Sequence, residues 1–460
     1  MTRPRLILNA FVENGISFGT FGSWRMEGST QDRFTDLNSW IDLAQILERG
    51  KFDSLFFADV LGMYGPYKGN WRQHVKEGLQ FPIHDPAAIA SAIAHATDNL
   101  GIVFTSSVFQ EHPFTFARKV STLDHLSGGR IGWNIVSGFL SNAFGNYGIS
   151  EELKSGEARY ELAEEYAEVV YKLWEGSWDD GAVLANRREG EYADPSKVHK
   201  IHHEGKHFRV EGPHLSPPSP QRTPLLFQAG MSEQGQAFAA RHAEVLLINS
   251  ASREYAKTVI DSTRARARQS GRNIKVLQVI RAIVGSTEAE ARAKADELDA
   301  LYDPESAAAH FGGAGGIDLG EYGLNTPLNR FSDDAGSGGG VLKSLIESAG
   351  GGDVTFADYL KWNNETTRVV GTPEQIVDEL ERWQDVGIDG FNVAEVVRPK
   401  NYEDFVDYVI PELQRRGLAQ VEYSEGSLRK KVLGNSDYID NNHAARGWRG
   451  RFNDPNFNLI

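Results

Sequence analysis

Small, hydroxylated and amide residues recur just after apolar stretches of this chain: Asn9–Ala10–Phe11, Ala58–Asp59, Thr105–Ser106, Val136–Ser137–Gly138, Ala229–Gly230–Met231–Ser232 and Asn249–Ser250. Taken singly, each suits the cap of a following helix. Taken together they make a ring with one carboxylate, Asp59, and no paired acid and base. Such a ring suits a planar cofactor better than a hydrolytic triad. Gly230–Met231–Ser232 is the best anion site, because backbone N–H groups and a hydroxyl meet where a helix must begin. Arg159–Tyr160 opens another helix and adds a cation and a phenol.

Other chemistries recede on inspection. His199, His202, His203, His207 and His214 crowd one segment, but adjacent side chains in extended chain point apart and no acidic ligand pattern accompanies them. Loop packing is the reading, with zinc the lesser alternative, and no metal is expected. The chain has no cysteine, which removes thiolate nucleophiles, disulfides, Cys-ligated zinc and iron–sulfur clusters together. Gly312–Gly316 lacks the Gly-Lys-Ser/Thr of a P-loop and reads as hinge material for a lid. No Gly-x-Gly-x-x-Gly follows a strand, so a nicotinamide cofactor is not expected in a Rossmann manner. Reducing equivalents would have to arrive from outside.

The elements that must position this ring alternate along the chain. Strands are expected at Leu6–Phe11, Ser54–Ala58, Gly101–Phe104, Ile131–Val136, Pro224–Gln228, Val245–Ile248, Val276–Val284 and Gly390–Val393. Helices of period 3.6 are expected between them, clearest at Asn38–Leu47, Ala158–Trp174 and Thr372–Val386, the last with a Thr cap and Pro373 at its first position. About eight βα repeats predict a (β/α)8 TIM barrel, with an open doubly wound sheet as the alternative. In a barrel the strand ends carry the site.

Three segments break the rhythm. Asp179–Pro220 is a His-, Pro- and Gly-rich insertion with a strand pair expected at Lys206–Val210. Asp303–Gly352 is Gly-dense, with one helical pattern at Val341–Ser348. From Tyr423 to Ile460 the chain is too polar for a core of its own, so it is expected to be disordered or laid across a neighbouring subunit. The division is therefore one barrel over residues 1–433, insertions at about 179–220 and 303–352, and a tail over 434–460.

Composition sets the outer bounds. The 460 residues carry 48 Lys and Arg against 63 Asp and Glu, a net charge of −15, which argues against a phosphate-tracking nucleic-acid surface. No stretch approaches the roughly 18 apolar residues of a membrane span, and the start lacks the long apolar core of a signal peptide. A cytoplasmic protein is expected.

At this point the residues carry a resemblance. Glu111–Gly138 (EHPFTFARKVSTLDHLSGGRIGWNIVSG), Phe56–Gly62 (FFADVLG), Arg159–Trp178 (RYELAEEYAEVVYKLWEGSW), Gly212–Gly235 (GPHLSPPSPQRTPLLFQAGMSEQG) and Gly371–Val393 resemble the luciferase-like flavin monooxygenases. Within these they are most similar to the nitrilotriacetate, dibenzothiophene-sulfone and long-chain alkane monooxygenase group. The resemblance implies a TIM barrel with insertions, reduced FMN as a diffusible co-substrate, O2, a separate NAD(P)H:flavin reductase, and a homodimer or homotetramer. It places flavin contacts on Asp59, Thr105 or Ser106, Asn134, Ser137, Gly138, Tyr160, Met231 and Ser232, with Gly230 at the phosphate turn. Tyr160 and Ser232 would hold the phosphate, and Asp59, Ser106 and Asn134 would face the ribityl chain and ring edge.

Departures from the resembled pattern suggest a substrate. The group's usual V-T-S is here Val136–Ser137–Gly138, and its G-x-W-R-H-P is Gly22–Ser23–Trp24–Arg25–Met26–Glu27. Positions that are histidine in the alkane enzyme correspond to Phe18, Phe21 and Phe139, and His310 is retained as the candidate catalytic helper, as proton donor or substrate hydrogen-bond partner. Exchanging imidazoles for phenyl rings removes acid/base assistance and adds stacking surface. With Phe11, Trp24 and Phe56 nearby, the expected substrate is a planar aromatic or heterocycle. The expected function is FMN-dependent oxygenation, with riboflavin cleavage to lumichrome and ribose as the leading alternative and a non-catalytic flavin-binding protein as the rival.

Overall fold

The computed structural model describes residues 3–250, 252–331, 353–358 and 368–453. Eight parallel strands close on themselves in chain order: β1 (Ile7–Glu13), β2 (Ser54–Ala58), β3 (Gly101–Ser107), β4 (Ile131–Val136), β5 (Leu225–Ala229), β6 (Val245–Ile248), β7 (Lys275–Val284) and β8 (Gly390–Ala394). Pairing of β1 with both β2 and β8 completes the circle, with Phe11 opposite Phe56 on one side and Ala394 on the other. Arg368–Gly371 extends β7 outside the barrel. The fold is the expected (β/α)8 barrel, and all eight expected strands overlap the observed ones.

Strands covered on both faces read as near-continuous apolar runs, and period 2 decides what each face meets. Ile7, Leu225, Val245 and Leu277 point inward and cluster with Phe56, Val103 and Phe227. Above them Asn9 is hydrogen-bonded to Ser54 (2.8 Å) and Asn392 (2.9 Å), a polar belt inside the barrel. Helices form the outer ring. Pro373–Asp385 begins at the expected Thr372 cap with Gln375 closing a capping box, which satisfies two otherwise orphaned N–H groups.

The irregular segments differ from expectation. Gly312–Gly315 is not a hinge but the last turn of a helix, Pro304–Gly315, capped by Asp303. Its glycines are there for close approach: a Cβ on Gly313 would stand 2.6 Å from the Gly65 nitrogen. The Ala- and Gly-rich composition hid this helix, because no apolar period survives in it. Val341–Ser348 lies outside the described residues. The first insertion holds two antiparallel pairs, Val183–Asn186 with Glu191–Ala193 and His203–Glu204 with Arg209–Val210, the turn of the second falling where a strand was expected to start. Its histidines have separate partners: His199 with Asp179, His203 with Lys172 and Glu165, and His214 with Ser121.

Between Tyr423 and Asn453 the chain packs on its own barrel. Leu428–Leu433 is a helix whose Leu428 and Val432 join the inward cluster at the lower end of the strands. Arg429, 1% exposed at its side chain, donates to both Glu244 carboxylate oxygens (2.7 and 2.9 Å) and to the Thr223 and Pro224 carbonyls. Further on, His443 donates from Nε2 to the His242 carbonyl oxygen at 2.7 Å, and Trp448 stacks on Phe452. Scattered apolar residues thus find a core already built by the barrel. Among the described residues no helix is long and apolar enough to cross a membrane.

Candidate active site

The upper ends of the strands open into a cavity of about 800 Å³, within the range typical of small-molecule sites. Phe11, Phe18, Asp59, Thr105, Asn134, Ser137, Gly138, Phe139, Tyr160, Gly230, Met231 and Ser232 all line it. Strand periodicity sorts the remaining candidates. Thr105 and Ser107 face in, whereas Ser106 points to the outer side and its hydroxyl meets Gln110 at 3.3 Å. Phe56 lies one layer down, packed edge-on against Phe11 (5.2 Å) and Phe227 (5.4 Å). Trp24 is turned away and donates to the Glu77 carbonyl. Phe21 sits behind the wall against His310, 4.7 Å between ring centroids. Ser106, Phe21, Trp24 and Phe56 are therefore neighbours of the cavity and not its lining.

One end is built for an anion. Ser155 caps the helix Gly156–Tyr171 and Ser232 caps Glu233–His242, so two helix N-termini point their free N–H groups at one place, where negative charge is favoured. Lys154, Arg159 and Tyr160 border the same place. Burial raises the Tyr160 phenol, while the Ser232 hydroxyl, Arg159 and Ser137 pull it the other way, so it stays a neutral donor. Gly230 allows the chain past: a Cβ there would lie 2.7 Å from the Gln228 amide nitrogen.

The middle offers hydrogen-bond partners. Thr105 donates to the Phe57 carbonyl and accepts from Asn134 at 2.9 Å. That leaves the buried Asn134 Oδ1, and likewise Gln228 Oε1, without a partner among the described residues. A buried carbonyl oxygen is costly to leave unpaired, so both are fitted to N–H or O–H groups of a bound molecule. Burial pushes the Asp59 carboxyl up to about 8, aided by Asp85 and opposed by the Val60 N–H and Lys119. At neutral pH it keeps its proton and can donate. Gly138 has φ of +74° and carries the Phe109 ring where a Cβ would stand, so the V-S-G departure follows from backbone and packing. The orphaned acceptors, the neutral acid and the anion cradle together fit a flavin mononucleotide.

The other end is aromatic. Phe18 packs edge-on to Phe11 at 4.6 Å, and Tyr64 faces Phe139 at 6.2 Å. His310 stands behind Tyr64, 4.2 Å between centroids, and does not reach the cavity lining. Burial, His74 and Arg281 push it down to about 3. It is a neutral ring held at the back of Tyr64, so at neutral pH it is not charged for the proton-donor role, one of the two expected of it. Sequence reasoning missed Tyr64, Gln228 and Arg281, which all line the cavity. Tyr64 follows the FFADVLG block by two residues, and Arg281 is the lone charge in the apolar run Val276–Val284; both were legible signals.

Comparison with known proteins agrees with this geometry. The chain is 43% identical over 450 residues to the long-chain alkane monooxygenase of Geobacillus thermodenitrificans (strain NG80-2), covering 97% of this chain and 98% of that one. It is 40% identical over 466 residues to the dimethyl-sulfide monooxygenase of Hyphomicrobium sulfonivorans, covering 98% and 95%. A riboflavin lyase crystal structure with modified FMN and riboflavin superimposes with a TM-score of 0.88 at 33% identity, over 97% of this chain and 99% of that one. Residues 16–390 match the family model described as luciferase-like monooxygenase. With a matching barrel, a matching family model and relatives aligned over nearly their whole length, this chain belongs to the luciferase-like monooxygenase family of flavin-dependent enzymes.

Proposed function

We propose that this chain is the oxygenase of a two-component system, taking reduced FMN from a separate NAD(P)H:flavin reductase and using O2 to oxygenate a small planar aromatic or heterocyclic substrate. The observation that carries this reading is the joining of an anion cradle and an aromatic chamber in one cavity. Reduced FMN, when bound, supplies the electrons that activate oxygen. The protein supplies position and dryness. Ser232, Tyr160, Arg159 and two helix N-termini hold the phosphate; Asn134 Oδ1 and Gln228 Oε1 accept from ribityl or ring donors; Asp59 holds a proton beside them. Phe11, Phe18, Tyr64 and Phe139 exclude water, whose entry would divert oxygen to hydrogen peroxide.

Phe11, Phe18, Tyr64 and Phe139 line the chamber, and offset or edge contacts of such rings with a flat substrate are worth about 0.5–1.5 kcal/mol per ring pair beyond area burial. Riboflavin cleavage is the second reading, favoured by the likeness to the riboflavin lyase structure and by a cavity of about 800 Å³. A homodimer or homotetramer in the cytoplasm is part of the proposal. The test supplies the chain with a generic flavin reductase, NADH, FMN and isotopically labelled O2, and screens aromatic heterocycles, alkanes and riboflavin by mass spectrometry. Labelled oxygen in a heterocycle supports oxygenation, and lumichrome from riboflavin supports cleavage. Labelled alkanol alone overturns the aromatic assignment, and no product from any class leaves the flavin-binding rival.

A further inference from the structure

The antiparallel pair Val183–Asn186 with Glu191–Ala193 stands apart from the barrel as a two-stranded sheet of its own. Val183 and Leu184 are successive residues of one strand and so point to opposite faces, yet they are 38% and 46% exposed, and Tyr192 on the other strand is 63% exposed. Both faces of the hairpin therefore meet solvent. A lone hairpin of this kind is marginally stable in water and needs packing against a further layer. Ala185 adds a second demand. Its φ of +45° lies in the left-handed region, where a residue with a Cβ persists only when its surroundings hold it, and Ala185 is itself exposed.

Charge selects the occupant. Residues 183–193 hold two arginines and two glutamates, a neutral segment in a protein of −15. Two copies of so anionic a chain repel overall, and a neutral, partly apolar projection is where they come together at least cost. The two signs are also kept apart. Arg187 and Arg188 open the turn, and Glu189 and Glu191 close it. Among the described residues neither arginine has an ion-pair partner and neither does Glu191, while the Glu189 carboxylate accepts only from the Asn186 side-chain amide at 2.7 Å. A polyanion would meet the glutamates and a polycation the arginines. A second copy satisfies both, because a two-fold axis beside the turn sets the arginines of each copy against the glutamates of the other, the self-complementarity an isologous contact requires.

We propose that this hairpin is where two copies of the chain meet across a two-fold axis, an inference that rests on the homo-oligomer in the reading above and not on its flavin chemistry. Leu184 and Tyr192 supply apolar area, and the two charged halves of the turn set the pairing.

Native mass spectrometry and sedimentation of the full chain test this. The parent is expected to self-associate. Arg187→Glu with Arg188→Glu makes an all-acidic hairpin, and Glu189→Arg with Glu191→Arg an all-basic one. Each alone is expected to dissociate at least about tenfold more readily, by loss of paired charge and gain of like-charge repulsion. An equal mixture of the two restores association, in about 0.15 M salt, where charges remote from the contact are screened. Leu184→Gln, without any change of charge, weakens it about tenfold by removing apolar area. FMN affinity stays as in the parent throughout. A parent that is monomeric at about 0.1 mM overturns this assignment and the homo-oligomer together. Variants that associate as the parent does, or a mixture no tighter than its components, overturn the assignment and leave the homo-oligomer standing. Loss of FMN binding on these exposed changes overturns it as well, by showing that the hairpin serves the barrel's own fold.

Discussion

The Tyr160 and Ser232 hydroxyls both lie 3.1 Å from the point where a Cβ would stand on Gly235, so one small residue in the Glu233–His242 helix lets a phenol from one helix and a cap from another converge. Contacts that short are tighter than most side chains adopt, and alanine there makes the two hydroxyls give by a few tenths of an ångström. Gly235→Ala is expected to weaken FMN binding about tenfold or more, by the loss of one charge-directed hydrogen bond, with little change in thermal unfolding. Fluorescence quenching of FMN measures it. Unchanged affinity would remove these hydroxyls from the phosphate site.

The Asp59 carboxyl, pushed up to about 8, binds a proton in the folded protein that the unfolded chain has released above its ordinary 3.8. It favours the folded state at low pH, and the advantage fades as pH rises through 8. As a donor to flavin it should act the same way: FMN affinity holds to about pH 8 and then falls by up to about tenfold per pH unit. Asp59→Asn keeps a donor and flattens the profile. A parent profile that is already flat between neutral and alkaline pH contradicts the donor role.

Acid should act through buried imidazoles. Burial pushes His310 to about 3 and His214 to about 4, from an ordinary 6.5. Each is neutral in the fold, and the unfolded chain takes up its proton first as pH drops below 6.5, so stability declines from there toward pH 4. Urea midpoints for the parent should fall across that window, and fall less for His310→Gln. For turnover, His310→Gln is expected to keep coupling of flavin oxidation to product, because a neutral packing group is retained behind Tyr64, whereas His310→Ala leaves a cavity and lowers coupling. Coupling lost equally in both variants would restore a proton-transfer role.

Removing one partner of a buried ion pair strands the other. Arg429→Met takes the guanidinium from Glu244 and a donor from the Thr223, Pro224 and Asp437 carbonyls, and an expected loss of about 3–5 kcal/mol follows, read from urea denaturation. A loss below about 1 kcal/mol, the scale of an exposed pair, would mean that the tail is not seated as described.

The barrel was legible because each strand is an apolar run of strand length bounded by polar or glycine residues, as at Val245–Ile248. The ring of strand-end residues was legible for the same reason, since once strands are placed period 2 nearly decides which side chains face in. It misled at Ser106, where a choice between neighbours depends on a register one residue wide. Elements stabilised by contacts distant in sequence stayed hidden. Leu428 and Val432 look like isolated apolar residues in a polar tail until the barrel's lower end supplies their partners, and Ala307–Ala309 show no period because the helix packs by closeness and not by bulk. The neutrality of His310 could not be read at all, for it arises from burial among Phe21, Tyr64 and His74.

The seating of Leu428 and Val432 in the lower end of the strands has a kinetic corollary. With that end stoppered, the strand tops serve as the way in for every guest. Flavin and substrate then share one entrance, the cavity lined by Asn134, Phe11, Phe18 and Phe139 alike, so a guest that is slow to leave the mouth would delay the exchange of the other and set the pace of the whole cycle.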